Sequence, residues 1–455
     1  MSKSNILSVL AAASVLLGCS AYKNYESPGS SALPQLYQSA DSTGIGQTCW
    51  QEFFTEEQLR ACIAAGLQNN LDLQAAALRV EQYRQACRAA RLAYLPSLEL
   101  SPAGNYAYSK ERYGDSAYGW SLPFTASWEA DIAGRTTAAK KIAQADLEQS
   151  EVWRCSVETE LIASIAEAYY TLALLDRKLD ISRKTSASWQ ENVRIMKAMK
   201  QAGMANEASV SQTEAGSLSI ETSIFDLERQ LAEAENRMSL LLGQPPTNQD
   251  GSTQHARGSL KDVSLPQEIA TGVPAQLLAH RPDVMAAELE LRKAYYQTAA
   301  ARAELYPSLR LNGSAGWEKA LTLDVSGLAA SLAASLVQPV FSAGRLKARV
   351  ETAKIRQEEA LAAFEQSILK AGAEVNDAIA QCNAARSKKE LRIQQIEALE
   401  TAEESTRELM RHSEATYLEV LTAQQSLLNA RLLQATDRFE EITAIIALYK
   451  ALGGR

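Results

Sequence analysis

Tyr94-Leu95-Pro96-Ser97-Leu98 and Leu305-Tyr306-Pro307-Ser308-Leu309 carry the same Pro-Ser-Leu, 211 residues apart. Beyond each lies a second shared piece, Asp131-Ile132-Ala133-Gly134-Arg135 and Phe341-Ser342-Ala343-Gly344-Arg345, at an offset of 210. A helical stretch precedes each Pro-Ser-Leu, opened by Asn70-Leu71-Asp72-Leu73 in the first case and Arg281-Pro282-Asp283-Val284 in the second. A repeat of this length marks a duplicated architecture, not a solenoid of short units.

Each Gly-Arg opens a long run without proline. The 12 prolines fall within 28–123, within 245–307, or at Pro339, so 125–244 and 340–455 contain none. Glycine is scarce in the same runs, which are rich in Ala, Leu, Glu, Gln, Lys and Arg; that composition suits long helices. Ordinary globular helices average about 11–12 residues, so a compact enzyme fold is disfavoured. Leu161, Ile165, Ala168, Leu172, Leu175 and Leu179 follow a 4-3 spacing. Phe364, Ile368, Ala371, Val375, Ala378, Cys382 and Ala385 do the same. A third stripe runs through Leu418, Leu421, Gln425, Leu428, Leu432, Ala435, Phe439, Ile442, Ile446 and Tyr449, with Gln425 its polar exception. Heptad seams of this kind keep one helix face against a neighbour. Lys200–Glu207 and His412–Thr416 interrupt the two runs, so each folds into a helical hairpin. An unbroken helix from Arg345 to about Arg411 would be roughly 100 Å long. Pro245-Pro246 through Pro274 is a polar connector.

Between Pro-Ser-Leu and Gly-Arg lies the strand-like sequence. Trp120, Leu122, Phe124, Ala126 and Trp128 alternate with mostly polar residues; Leu309, Leu311, Gly313, Ala315 and Trp317 share one face, and 328–340 returns. Alternation over about ten residues is the signature of transmembrane β-strands; a surface hairpin packed on the helices would show it too. Trp120, Trp128 and Trp317 either form an interfacial girdle or pack. Two hairpins supply four strands. Single-chain barrels begin at about eight, and a bilayer tolerates no open sheet edge. Spanning strands therefore imply an oligomer.

The net charge is −8, diffuse and acidic, which argues against nucleic acid as a partner. The three histidines, His255, His280 and His412, form no metal or triad spacing, and no phosphate loop, HExxH or GxSxG is present. No metal, cofactor or enzymatic chemistry is expected. At the front, Lys3 and the apolar Ile6–Leu17 are too short to span a bilayer and fit a signal peptide over 1–18. Gly18-Cys19, with Leu16 upstream, resembles the bacterial lipobox, in which the cysteine is acylated; an ordinary cleaved signal is the alternative. Ser20 follows, not the aspartate associated with inner-membrane retention, which favours the outer membrane. The five remaining cysteines, Cys49, Cys62, Cys87, Cys155 and Cys382, are an odd number and read as small buried hydrophobes.

These pieces, with Trp50-Gln51-Glu52-Phe53-Phe54, Leu242-Gly243-Gln244-Pro245, Tyr417-Leu418-Glu419-Val420-Leu421 and Leu448-Tyr449-Lys450-Ala451-Leu452-Gly453-Gly454, resemble the outer-membrane efflux channels. Those are the TolC/OprM-like outer-membrane factors; the lipid-anchored, NodT-type branch is the nearest. The resemblance covers essentially the whole mature chain. It implies a mainly α fold with a small β part: long coiled-coil hairpins forming a trimeric periplasmic α-barrel, capped by a transmembrane β-barrel with four strands per chain. The expected organisation is an N-terminal and equatorial segment over 19–68, a first repeat over 69–243, an equatorial linker over 244–280 and a second repeat over 281–455. Expected partners are two further copies of the chain, a periplasmic adaptor and an inner-membrane pump of the RND type, driven by the proton gradient. The only covalent group implied is the lipid on Cys19. Glu419 and Thr422 match aperture positions; Gly203, Met204, Ser413 and Glu414 match adaptor-contacting hairpin tips; Gly134, Arg135, Gly344 and Arg345 match strand-to-helix junctions. The sequence departs from the family in having Ser413 where glycine is usual and Thr422 where relatives often carry a second acid. The expected role is passive conduction of drugs or other toxic small molecules. Alternatives are a type I protein-secretion duct or a metal-efflux duct of the same fold or, in another class, a lipid-anchored periplasmic coiled-coil scaffold.

Overall fold

In a computed structural model, the structure describes residues 24–27, 49–108, 116–246, 255, 257–258, 260, 281–319, 326–412 and 415–454. Cys19, Ser413, Glu414 and most of the 244–280 linker lie outside the described residues. The elements are α1 (Trp50–Phe53), α2 (Glu57–Asn69), α3 (Leu71–Leu92), β1 (Ser97–Leu100), β2 (Ala103–Tyr108), β3 (Ser116–Ala130), α4 (Arg135–Gln201), α5 (Glu207–Leu241), α6 (Pro282–Ala303), β4 (Ser308–Lys319), β5 (Ser326–Val337), α7 (Arg345–Arg411) and α8 (Tyr417–Ala451). The duplication is visible in lengths: α3 and α6 both have 22 residues, α4 and α7 both 67, α5 and α8 both 35. Among the described residues, no helix is long and apolar enough to cross a membrane.

The chain forms two compact units. Of the described residues, one unit contains 24–27, those within 78–152 and those within 285–367, with the sheet; the other contains 49–77, those within 153–284 and those from 368 to 454. In the sheet, the strand order is β1-β3-β4-β5, all antiparallel, with β2 also on β3. β1 and β2 occupy one strand position. Leu100 lies opposite Phe124 and Ala103 opposite Ser121, so the register carries through Ser101-Pro102. Pro102 has no N–H to give to the ladder, which accounts for the gap. The sheet therefore has four strand positions, the first one broken.

The heptad stripes, all but Phe364 in the second unit, supply its core. Every member of the Leu161–Leu179 and Phe364–Ala385 stripes is buried. On α8 the stripe is buried at Leu421, Leu428, Ala435, Ile442, Ile446 and Tyr449, but Leu418 is exposed; in the first turn of α8 it is Val420 and the half-buried Tyr417 that face the core instead. The Trp50–Phe54 motif closes the other end. Phe53 stacks on Tyr449 at 4.5 Å between ring centroids and Phe54 meets it edge-on.

The Arg281-Pro282-Asp283 motif holds this end together. Buried Arg281 donates to the Ala451 carbonyl at 2.8 Å, to Asp283 at 2.8 Å and to Glu374 at 2.5 Å. A cation on the last carbonyls of α8 favours both the unpaired acceptors and the helix dipole. Burial pushes the Asp283 carboxyl up, but the Arg281 hydrogen bond and charge outweigh it and hold it below the usual carboxylate range.

The cysteines correct the expectation in part. Cys87 and Cys382 are buried and Cys62 half-buried, whereas Cys49 and Cys155 are exposed, and none of the five is bonded to another. Cys49 precedes α1 and so has no helical face to bury; Cys155 lies on an exposed face of α4.

Candidate functional site: a two-faced sheet and the helical hairpin ends

Directly opposed residues of an antiparallel pair share a sheet face, so the register separates the two faces. One face carries Leu98, Leu100, Tyr106, Tyr118, Trp120, Leu122, Phe124, Trp128, Leu311, Trp317, Leu328, Leu332 and Leu336, with mostly Gly and Ala between them and Lys319 and Ser326 at one end. Most of these large side chains are exposed; Leu332 is 85 % accessible and Leu98 79 %. The other face carries Ser97, Glu99, Ser121, Thr125, Ser127, Glu129, Arg310, Asn312, Ser314, Glu318, Ser331 and Ser335. These polar groups bond among themselves: Ser127 to Asn312 at 2.9 Å, Ser314 to Ser331 at 2.8 Å, Arg310 to Glu129 at 3.2 Å.

An exposed apolar face of this extent is wrong for water and right for lipid. β4 and β5 have 12 residues each, about 40 Å of strand, which at a tilt of about 40° crosses a hydrocarbon core of about 30 Å. Tyr106, Tyr118, Trp120 and Trp317 gather toward one end of this face and Trp128 lies toward the other, where its Nε1 donates to the Tyr94 carbonyl at 2.8 Å. Among the described residues, β1/β2 and β5 each pair on one side only. Gly316 permits the close approach of β3 and β4 beside Pro123; a Cβ there would sit 2.2 Å from the Leu122 carbonyl oxygen.

The junctions carry the chain from strand into helix. Gly134 and Gly344 both have φ near +78° (76° and 79°), a conformation natural to glycine. At the first junction Asp131 caps α4, accepting from the Thr136 and Thr137 N–H groups at 2.8 Å each, and Arg135 pairs with Glu129 at 2.6 Å. The second has Ala343 at φ 50° and an exposed Arg345.

At the hairpin ends, the Gly203 N–H donates to the Lys200 carbonyl and the Met204 N–H to that of Met199, with Gly203 at φ 77°. This is a Schellman ending, and it leaves Met204 exposed. Asn206 caps α5 through Ser209 N–H at 2.9 Å. In the second hairpin, Glu419 accepts from the Thr416 N–H at 3.1 Å, one arm of a capping box. Thr422 donates to the Leu418 carbonyl at 2.8 Å. Both side chains lie on the exposed face of α8.

One further set of side chains joins the two hairpins. Asn192 on α4 donates to Gln424 Oε1 at 2.8 Å, Gln424 Nε2 donates to Glu403 on α7 at 3.0 Å, and Arg407 pairs with Glu403. Sequence reading passes over Gln424. The polar break it notices is Gln425, which bonds locally to Asn429. Beside this network Trp189 packs with Leu421 and Leu428, and Gly216 makes room for its ring.

A sheet apolar on one face and polar on the other, joined through tight junctions to long helical hairpins, defines a membrane channel of the outer-membrane type. The model of the family described as "Outer membrane efflux protein" matches residues 63–244 and again 273–454, and the chain belongs to that family. It is a family of outer-membrane channels, not an enzyme class. The cation efflux system protein CusC of Escherichia coli O6:H1 is 29 % identical, with 96 % of each chain covered. The toluene efflux pump outer membrane protein TtgC of Pseudomonas putida is 29 % identical over 100 % of this chain and 96 % of its own. The pyoverdine export outer membrane protein OpmQ of Pseudomonas putida is 31 % identical over 89 % and 87 %. Among solved structures, CusC has a TM-score of 0.81 at 27 % identity, covering 96 % of this chain and 100 % of that one. The open-state MtrE outer membrane channel of Neisseria gonorrhoeae has 0.83 at 25 %, covering 96 % and 98 %.

Proposed function

We propose that this chain is the outer-membrane duct of a tripartite efflux system, conducting small molecules passively from an inner-membrane pump of the RND type, through a periplasmic adaptor, to the exterior. The observation that carries the reading is the sheet: an outward apolar face, a hydroxyl-rich polar face, and one-sided pairing at both edges among the described residues. Four strand positions fall short of the smallest single-chain barrel, so three chains supplying twelve complete one. A lipid-anchored scaffold has no use for such a sheet. Cys19 carries the lipid, and Gly203, Met204, Ser413 and Glu414 meet the adaptor. Relatives of near-equal similarity bear names for cations, toluene and pyoverdine; the duct is therefore general, and selection lies in the pump.

At the periplasmic end, Glu419 recurs three times around the axis of the trimer. Like charges in a constriction raise the local attraction for cations. Thr422, one turn on, adds a hydroxyl and no charge. Native mass measurement of the detergent-solubilised protein should give a trimer that conducts ions in planar bilayers. A folded monomer with its full β content would overturn the reading.

A further inference from the structure

The polar face of the sheet carries its described charges at three levels. At the foot, beside the first strand-to-helix junction, Glu129 on β3 lies opposite Arg310 on β4. Glu99 stands about 13 Å further along the strands, in the row of Thr125 and Ser314, and Glu318 about 27 Å further, opposite Ser121. The foot differs from the other two levels in holding cations. Glu129 gives one oxygen to Arg135 at 2.6 Å and the other to Arg310 Nε at 3.2 Å, so one carboxylate serves two guanidinium groups. Asp131, two residues on, is committed elsewhere: its two oxygens accept from the Thr136 and Thr137 N–H groups at the start of α4.

Arg310 is held through Nε alone. Among the described residues its Nη1 and Nη2 donate no hydrogen bond, and its side chain is 54 % exposed. Two residues on, on the same face, Asn312 Oδ1 accepts from Ser127 at 2.9 Å. The Nδ2 of Asn312 donates to nothing among the described residues. β4 has β3 on one side and β5 on the other, so the flanks of both side chains within the sheet belong to their own chain.

We propose that Arg310, with Asn312 beside it, is a station that holds the carboxylate groups of anionic permeants at the foot of the sheet; this rests on the reading of the polar face as the pore lining. A guanidinium engaged through Nε keeps its two Nη groups as a planar fork, which matches a carboxylate in two parallel hydrogen bonds. The bond to Glu129 restrains the side chain beforehand, so less freedom is lost when an anion binds. Asn312 offers a further N–H donor about 7 Å along the strand, within reach of a permeant that carries more than one acid group. Three chains repeat the station at one level. Acids at Glu419, Glu99 and Glu318 oppose anions elsewhere in the duct, and the foot gives them one favourable level without making the duct selective for a single compound.

Citrate, a tricarboxylate, is the probe. In planar bilayers holding the assembled full-length protein in potassium chloride, citrate should reduce the open-channel current of the parent. Arg310→Gln should raise the half-blocking concentration roughly tenfold, the scale of one hydrogen-bonded charge lost in a solvated lumen. Arg310→Lys keeps a cation opposite Glu129 but not the fork, and should raise it about threefold; it carries the test if the glutamine variant fails to assemble. Equal half-blocking concentrations in the parent and Arg310→Gln overturn the station, as does a conducting parent that citrate does not block. A lysine variant blocked as strongly as the parent overturns recognition by the fork. An assembled parent that conducts no ions overturns the duct reading, and the station with it.

Discussion

Gln424→Ala removes the joint between the two hairpins. Two bonds are lost: one neutral, from Asn192 at 2.8 Å, and one to the Glu403 carboxylate at 3.0 Å. A neutral hydrogen bond contributes about 1 kcal/mol net and one to a charged group about 1.5–3. The Glu403 side chain is 14 % exposed, so solvent screens it little, and Arg407 still pairs with it after the substitution. The net loss is therefore about 2 kcal/mol per chain, without the added penalty of a stranded charge. That is roughly a 30-fold shift in the balance between α8 held against α4 and α7 and α8 released. In planar bilayers the variant should show a higher mean conductance than the parent. Gln424→Glu places a second carboxylate beside Glu403 and should exceed it. Parent-like conductance from both variants, in protein that still assembles, would refute the idea that this network holds the hairpins together.

Glu419→Gln keeps an acceptor for the Thr416 N–H, so stability should change by no more than about 0.5 kcal/mol; cation selectivity and block by divalent cations should fall, and unchanged selectivity would remove Glu419 from the aperture. Arg281→Ala strips the α8 carbonyl at Ala451 and two carboxylates of their donor and should cost about 2–3 kcal/mol in denaturant melts. Because the folded Asp283 carboxyl is depressed, its contribution is present above the ordinary carboxylate value and is lost as pH falls below about 4 through the folded value; Asp283→Asn should flatten that acid limb. Gly316→Val drives a branched side chain into the β3 backbone and should cost about 1–3 kcal/mol, read as loss of assembled protein from the outer-membrane fraction.

The helices and the apolar sheet face were legible because both are periodic. Leu161–Leu179 and Phe364–Ala385 repeat every seven residues, and each stripe is buried without exception. Trp120, Leu122, Phe124, Ala126 and Trp128 alternate and share a face. The breaks at Lys200–Glu207 and His412–Thr416 coincide with the ends of α4 and α7 and the starts of α5 and α8. What periodicity did not reveal depends on partners remote in the chain. Gln424 meets Asn192 across 232 residues and Arg281 meets Ala451 across 170. Nothing local in either stretch signals the match. The interruption of the first strand at Pro102 is readable in principle, since a proline cannot donate to the ladder, but the short β1 and β2 lack the sustained alternation that marks β3.

The equal lengths of the duplicated helices bear on which mutations the chain can accept. Along α4 and α7 the two copies have drifted far apart in sequence, yet neither has gained or lost a residue relative to the other, and the same holds for α5 with α8 and α3 with α6. The residues of the two copies differ at most positions; the lengths of the paired helices do not differ at all. Adding one residue to a single arm would rotate everything beyond it by about 100° and advance it by about 1.5 Å, turning its buried stripe toward solvent at every later turn. The two copies thus share a measurement more closely than a composition, and such halves are better compared by counting residues between turns than by matching letters.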